Sequence, residues 1–332
     1  MSREAARSSS MKYYLAPLEG ITTYIYRNAY HSIFLPMDKY FTPFLVPKQK
    51  KSLSRREIND ILPEHNQGLF LVPQLLTNRA EDFIRAAQTL MDYGYKEINL
   101  NLGCPSGTVV SKGKGAGFLA RPVELERFLD EIFSKLTIRI SIKTRIGVED
   151  PEEFETLLPI FCRYPLEELI IHPRVREDYY KNPPNLLAFE KAMGESGNTV
   201  CYNGNIFSMG DCEDLQKRFP KLASVMLGRG SIANPELHRE CVEKNFLEPK
   251  RKTEQFSQLH TLLYQNYQDI LSGERNVLFK MKEIWSYMIQ SFSNYEPYAK
   301  RIRKAETLRN YEIAVHALFR EQEVTSYGRF SF

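Results

Sequence analysis

Lys96-Glu97-Ile98-Asn99-Leu100-Asn101-Leu102-Gly103-Cys104-Pro105-Ser106 reads as a strand that runs into a turn, and its surroundings decide the fold. The run from Lys96 to Leu102 has the apolar content of a buried strand, and Gly-Cys-Pro punctuates its end. Asn78 to Tyr93 precede it and Pro122 to Leu136 follow it, each with helical apolar spacing and a capping or N1-type first residue. A strand set between two helices is one unit of a parallel βα repeat. Working outward, strand-like runs recur at Lys12 to Leu18, Lys39 to Leu45, Leu69 to Leu75, Ile138 to Thr144, Glu168 to His172, Thr199 to Asn203 and Ala223 to Leu227. With the central run these make eight, the number that closes a barrel, and they predict an α/β chain folded as a (β/α)8 TIM barrel. A seventh helix, Ser208 to Phe219, opens with Ser208, carries Asp211 in its first turn and closes at Pro220.

Beyond about Asn234 the pattern changes to helices alone, near Glu254 to Leu271, Val277 to Phe292 and Tyr298 to Arg320, with Gly273 and Pro297 as punctuation. The expected organisation is a barrel over residues 11–245 and a smaller all-helical domain over residues 246–332. That tail holds the only tryptophan, Trp285, and the basic residues Lys280, Lys282, Lys300, Arg301, Arg303, Lys304 and Arg309. Its charge suits an anionic partner or simply a solvated helix face. Residues 1–10 are polar, carry Arg3, Glu4 and Arg7, and have no signal-peptide core; they read as a disordered leader, an alternative start or an expression remnant.

Composition narrows the classes. The 332 residues, 42% hydrophobic, accommodate one large and one smaller domain, and the net charge of +4 permits an anionic partner without requiring one. Five cysteines at irregular positions, with no CxxC spacing, argue against a disulfide framework and a zinc knuckle. Cytoplasmic localisation is the corresponding expectation, with Cys162, Cys201, Cys212 and Cys241 serving as small apolar packing. No window approaches the roughly 20 apolar residues of a membrane span, and the histidines are scattered, so neither a membrane nor a metal is expected.

Barrel chemistry sits at the C-terminal ends of the strands. Those positions read Ala16-Pro17-Leu18-Glu19-Gly20, Pro73-Gln74, Asn99 to Ser106, Lys143-Thr144-Arg145, His172-Pro173-Arg174, Asn203-Gly204-Asn205 and Gly228-Arg229-Gly230. So many polar groups at one end of nearly every strand are hard to explain by packing. The last two motifs follow strands 7 and 8, where barrels commonly hold a phosphate; Gly204, Gly228 and Gly230 allow close main-chain approach and Arg229 adds charge. A mononucleotide phosphate is the simplest reading, tight turns the plainer one. Gln74 and Lys143 suit the polar edge of a planar ring, Lys143 stabilising an anionic reduced flavin, unless it merely reaches solvent. His172 is a ring ligand or a satisfied barrel-top histidine. Cys104, presented on a mobile Gly/Lys-rich loop over Ser106 to Arg121, has an ordinary thiol pKa of about 8.5 and is a protonated, competent acid at neutral pH.

These residues resemble the tRNA-dihydrouridine synthases, FMN-dependent enzymes of bacterial type. The motifs are Ala-Pro-Leu-Glu-Gly-Ile-Thr with Arg27 beyond it, Gln74, Asn-Leu-Gly-Cys-Pro-Ser, Lys-Thr-Arg-Ile-Gly, His-Pro-Arg, Asn-Gly-Asn-Ile and Gly-Arg-Gly-Ser-Ile-Ala-Asn-Pro, from about Lys12 to Pro235. The resemblance implies FMN held by Pro17, Leu18, Glu19, Gln74, Lys143, His172, Asn203, Gly204, Asn205, Gly228 and Arg229. It implies Asn101 facing flavin and uracil, with Arg145, Arg174, Lys300, Arg301 and Arg303 at the tRNA, and Cys104 as the acid. NADPH would reduce FMN, hydride would pass to C6 of a tRNA uridine, and Cys104 would protonate C5 of a base drawn out of its stack. A monomer is expected. Asn205 and Thr23 replace common aspartates and Pro173 a common glycine, which removes one backbone donor near the site. The alternatives are an FMN barrel acting on a free pyrimidine, resembling dihydroorotate dehydrogenases, and a non-catalytic tRNA-binding protein; the basic tail favours RNA over the first.

Overall fold

The structure, a computed structural model, describes residues 11–49, 52–325 and 330, so the leader expected over residues 1–10 lies outside the described residues. The chain forms two compact units. One comprises the chain up to Pro17, Asp38–Asn205 and Arg218–Met226; the other comprises Leu18–Met37, Ile206–Lys217 and the chain from Leu227 onward.

The strands are β1 (Lys12–Leu15), β2 (Lys39–Phe41), β3 (Leu71–Val72), β4 (Gln74–Leu75), β5 (Glu97–Leu102), β6 (Arg139–Gly147), β7 (Leu169–Val175), β8 (Val200–Asn203) and β9 (Ser224–Leu227). Their order is β3-β2-β1-β9-β8-β7-β6-β5-β4. Only Pro73 separates β3 from β4. Proline has no N–H to give the ladder, yet its carbonyl still accepts from the Asn99 N–H at 2.9 Å. Residues 71–75 are therefore one strand that pairs in parallel with β2 on one side and with β5 on the other. The two edges of the sheet are the same strand, and the eight expected runs close into a TIM barrel.

The helices follow local chemistry. Pro122 stands at the first position of Pro122–Lys135, where its missing N–H costs nothing. Ser208 and Asp211 cap Met209–Arg218 reciprocally, the Ser208 N–H donating to the Asp211 carboxylate (2.9 Å) and the Asp211 N–H to the serine hydroxyl (3.2 Å). The helix expected from Asn78 begins instead at Ala80, because the Asn78 amide donates to the carbonyls of Lys112 and Gly113.

At the N-terminal ends of the strands the barrel is plugged by charge rather than by the usual branched apolar layer. Lys39 Nζ lies 2.8 Å from Glu97 Oε2 and 3.0 Å from Glu168 Oε2, while Glu168 Oε1 accepts from the Tyr14 hydroxyl and the Ser224 hydroxyl, both at 2.7 Å. All five residues are buried. Removing one member of such a pair strands the others and costs about 3–5 kcal/mol.

The second unit is helical, with Tyr24–Ile33, Pro249–Ile270, Glu274–Met288, Glu296–Lys304 and Leu308–Glu321. The single stretch expected from Tyr298 to Arg320 is two helices, because Thr307 caps a new start by accepting from the Asn310 N–H at 3.2 Å. Trp285 Nε1 donates to the Tyr311 hydroxyl, which lies 2.8 Å from His260 Nε2. Burial, and then the nearby His316, pushes the His260 pKa down to about 3, so this ring is neutral.

Cys212 and Cys241 were expected as separate packing residues. They form a disulfide, with Cα atoms 6.1 Å apart and a sequence separation of 29. The pairing is created where Met209–Arg218 meets Leu237–Glu243, a contact with no signature in cysteine spacing. Among the described residues no helix is long and apolar enough to cross a membrane, and no group of three or more His, Cys, Asp or Glu is placed to hold a metal ion.

Candidate active site at the strand ends

A line of side chains runs up through the barrel unit to Cys104. Asn99 Nδ2 donates to Ser141 Oγ (3.0 Å), Gln74 Nε2 to Asn99 Oδ1 (2.8 Å) and Asn101 Nδ2 to Gln74 Oε1 (2.8 Å). Asn101 Oδ1 then accepts from the backbone N–H of Gly103 (3.0 Å) and of Cys104 (2.9 Å). Backbone N–H groups can only donate, so they fix which end of the Asn101 amide is oxygen, which fixes Gln74, which fixes Asn99. One end of the relay thus sets its whole polarity.

The turn bearing Cys104 is held from every side. The Cys104 carbonyl accepts from the Ala116 N–H (3.1 Å), Arg145 Nε donates to the Gly103 carbonyl (3.0 Å) and Arg176 Nε to the Pro105 carbonyl (3.3 Å). The expectation of a mobile loop over Ser106 to Arg121 is corrected here. The segment contains the short helix Gly107–Val110 and the 3-10 helix Gly115–Ala120, whose Gly115 to Leu119 are buried. Gly115 has φ +56, and a Cβ there would stand 2.9 Å from the Cys104 carbonyl oxygen, so only glycine lets the segment lie against the cysteine. Cys104 itself is half-buried and makes no disulfide.

Lys143 lies directly across the β5–β6 ladder from Asn101. Burial, then repulsion from Arg145, pushes its pKa down to about 8, while Cys104 and Cys201 act to raise it. Lysine and cysteine therefore interact electrostatically, and the lysine titrates close to neutrality.

On β7 the ladder shifts register between Arg145 and Gly147, opposite His172 and Val175. Pro173, which cannot donate, sits in that irregularity, and His172 and Arg174 are both buried. Arg174 donates to His172 Nε2 (2.9 Å), to Asn205 Oδ1 (3.1 Å) and to the Asn182 carbonyl (2.6 Å). A guanidinium has no acceptor, so His172 Nε2 carries no proton: the ring is neutral with its hydrogen on Nδ1. Tyr180 stacks on that ring at 5.8 Å. Arg145, expected at the substrate, is only 1% exposed, and its three nitrogens donate to the carbonyls of Gly103, Val175 and Tyr179. It is a loop clamp.

At the end of β8, Asn203 Nδ2 donates to the Met226 carbonyl (2.9 Å). The Tyr202 ring folds over Gly204, where an added Cβ would come 2.3 Å from the tyrosine oxygen. Pro17 belongs to this unit, whereas Leu18, Glu19, Gly228 and Arg229 belong to the other. There the Leu18 N–H donates to Thr22 Oγ1 (2.8 Å), Glu19 is exposed, and Arg229 lies over the Phe207 ring at 5.5 Å. Gly228 precedes a helix of only five residues, Arg229–Ala233. Gly230 is required by close approach of the Ile206 carbonyl, 2.1 Å from a Cβ built there. Lys300, Arg301 and Arg303 are exposed on Glu296–Lys304.

The structure thus joins Gln74, Asn101 and Cys104 in one relay, and His172, Arg174 and Asn205 in one cluster. Sequence reasoning placed Asn99 at a strand end without giving it a role, and missed Ser141, Arg176 and Tyr180. Asn99 had a signal, since it alternates with Asn101 and so shares its face of β5; the others are placed by tertiary contacts alone.

A family model described as dihydrouridine synthase matches residues 14–324. A probable tRNA-dihydrouridine synthase of Staphylococcus aureus (strain COL) is 26% identical over 310 residues, covering 89% of this chain and 86% of its own. A probable tRNA-dihydrouridine synthase of Staphylococcus epidermidis is 28% identical over 231 residues, 67% of this chain and 69% of that one. A tRNA-dihydrouridine(16) synthase of Neisseria meningitidis is 26% identical over 250 residues, covering 71% and 73%. Among solved structures, a variant of NCR from Zymomonas mobilis superposes with a TM-score of 0.51 at 15% identity, over 71% of this chain and 88% of that one. A histamine dehydrogenase from Rhizobium sp. 4-9 gives 0.51 at 12%, over 74% and 49%. These two likenesses speak to the fold.

Proposed function

The chain belongs to the dihydrouridine synthase family, and on that premise we propose that it reduces particular uridines of tRNA to 5,6-dihydrouridine, with FMN as its cofactor, NADPH as reductant and Cys104 as the acid. The observation that carries the reading is the relay from Ser141 to the Cys104 turn, which holds the cysteine's main chain in place, with Lys143, of lowered pKa, across the ladder from Asn101 and in electrostatic reach of Cys104.

The donor set fits a flavin. Within the barrel unit Gln74, Lys143, His172 and Asn203 lie on β4, β6, β7 and β8, with Gly204 and Asn205 just past β8, and offer amides, a titratable ammonium and a neutral imidazole to a planar polar ring; Pro17, Leu18, Glu19, Gly228 and Arg229 are the further contacts that the family resemblance implies. FMN bound there, once reduced by NADPH, would supply the hydride that reaches C6 of the uracil. The chain's own residues do the rest. Cys104 gives its proton to C5, and the thiolate left behind is stabilised by Lys143 until solvent restores the proton. The same ammonium favours negative charge on the reduced ring. Asn101 keeps the Cys104 main chain still while the proton moves, and Arg174 keeps His172 neutral. Residues 11–245 form the catalytic barrel in this reading, and residues 246–332 bind the tRNA, with Lys300, Arg301 and Arg303 on its backbone.

The test is dihydrouridine, measured by mass spectrometry in an unmodified tRNA transcript after incubation with purified protein, FMN and NADPH. Cys104→Ala should lower the rate about 10²–10⁴-fold while FMN and tRNA still bind. A protein that takes up no flavin, or a Cys104→Ala variant of full activity, would overturn the assignment.

A further inference from the structure

We infer that the helical unit carries a pocket for one unstacked nucleobase of the bound RNA, built around Tyr295. The inference rests on the tRNA reading above and concerns a different part of the chain from the strand-end site.

A cavity of about 270 Å³ opens between Glu274–Met288 and Glu296–Lys304. Its apolar lining comes from Trp285, Ile289 and Ile302, all buried, and its polar lining includes Gln290 and Arg303. Tyr295 lines it from the turn just before Glu296–Lys304 and is half-buried, and its hydroxyl has no hydrogen-bond partner among the described residues. In that turn Asn294 has φ +43, a left-handed conformation that asparagine adopts more readily than most residues with a side chain. It is maintained by the Ser293 N–H donating to the Glu323 carbonyl (3.0 Å) and by the Ser293 hydroxyl with Gln322 Oε1 (3.0 Å). The result is an aromatic ring set at the edge of a cavity.

The frame of the cavity is cationic. Lys300, Arg301, Arg303 and Lys304 are all exposed, and of the four Arg301 acts electrostatically on the Glu321 carboxylate. Lys300, Arg301 and Lys304 line a second cavity of about 360 Å³ along the same helix. The dipole of the helix accounts for a cation in its last turn; it accounts neither for Lys300 nor for the tyrosine. A largely apolar cavity with amide and guanidinium groups in its lining, beside a row of exposed cations, matches one nucleotide of a strand: phosphate on the cations, base against the aromatic.

Trp285 is the only tryptophan of the chain and lines the cavity, so its fluorescence reports occupancy. The full chain is titrated with a short single-stranded oligoribonucleotide and with an abasic ribose-phosphate chain of the same length, across a salt series. The base-bearing probe should change Trp285 emission saturably and bind about tenfold tighter than the abasic one. Tyr295→Ala should abolish that preference and leave the salt slope unchanged, Tyr295→Phe should retain it, and Arg303→Ala should lower the slope by about one while retaining it. Equal binding of both probes by the wild type, or an unaltered preference in Tyr295→Ala, overturns the pocket even where tRNA binds. Failure of a tRNA transcript to bind at low salt overturns the tRNA reading with it.

Discussion

Replacing Asn101 separates a pinned cysteine from one that merely sits at a strand end. Asn101→Leu keeps the side-chain outline but leaves three groups without their partner: the N–H of Gly103, the N–H of Cys104 and Gln74 Oε1. At about 1 kcal/mol for each group left unsatisfied, stability should fall by about 3 kcal/mol. The Cys104 turn should loosen enough to cost about 10²-fold in turnover. Asn101→Asp behaves differently. A carboxylate still accepts from both N–H groups but sets an oxygen against Gln74 Oε1, so Gln74 must turn over, and then Asn99. The Asn99 oxygen then meets the Ser141 hydroxyl, which donates as readily as it accepts. The relay reverses at the cost of the hydrogen bond that the Ser141 hydroxyl gives Glu97, and the new carboxylate lies across the ladder from Lys143, so the cost should be about 1 kcal/mol, well below that of Asn101→Leu. Urea midpoints at unchanged slope, with dihydrouridine formation, measure both variants. Equal losses in the two, or wild-type stability in Asn101→Leu, would refute the directional relay.

Gly115→Ala should cost about 2 kcal/mol and lower turnover, since alanine meets both an unfavourable φ and the Cys104 carbonyl; a melting curve and a rate matching wild type would contradict the packed segment. Lys143 is charged below about pH 8, so turnover that needs its charge should decline as pH rises through 8, and Lys143→Met should remove that limb of the pH–rate profile. His260 is held neutral with its pKa near 3 against about 6.5 when unfolded. Its contribution is complete above pH 6.5 and lost as pH falls toward 3, at up to about 1.4 kcal/mol per pH unit. Denaturation across that window should show His260→Gln with the shallower slope.

The sequence by itself determined what depends on neighbours along the chain. Strand burial, proline at the start of Pro122–Lys135, the Ser208–Asp211 cap and the concentration of polar residues at strand ends are local in origin, so the eight runs and the strand-end residues were legible. Cys104 was legible as a candidate because Gly-Cys-Pro leaves a strand. What it rests on was not: Asn101 acts through Gln74, 27 residues away, and Arg176 holds a carbonyl 71 residues away. Barrel closure belongs to the same class, since residues 71–75 read as one ordinary strand until both β2 and β5 are seen beside them. The Cys212–Cys241 bond, the Arg145 clamp and the Lys39–Glu97–Glu168 plug were decided by tertiary structure alone. A buried hydrogen bond or ion pair is chosen by which groups folding brings within about 3 Å, and no pattern of spacing along a chain encodes that distance.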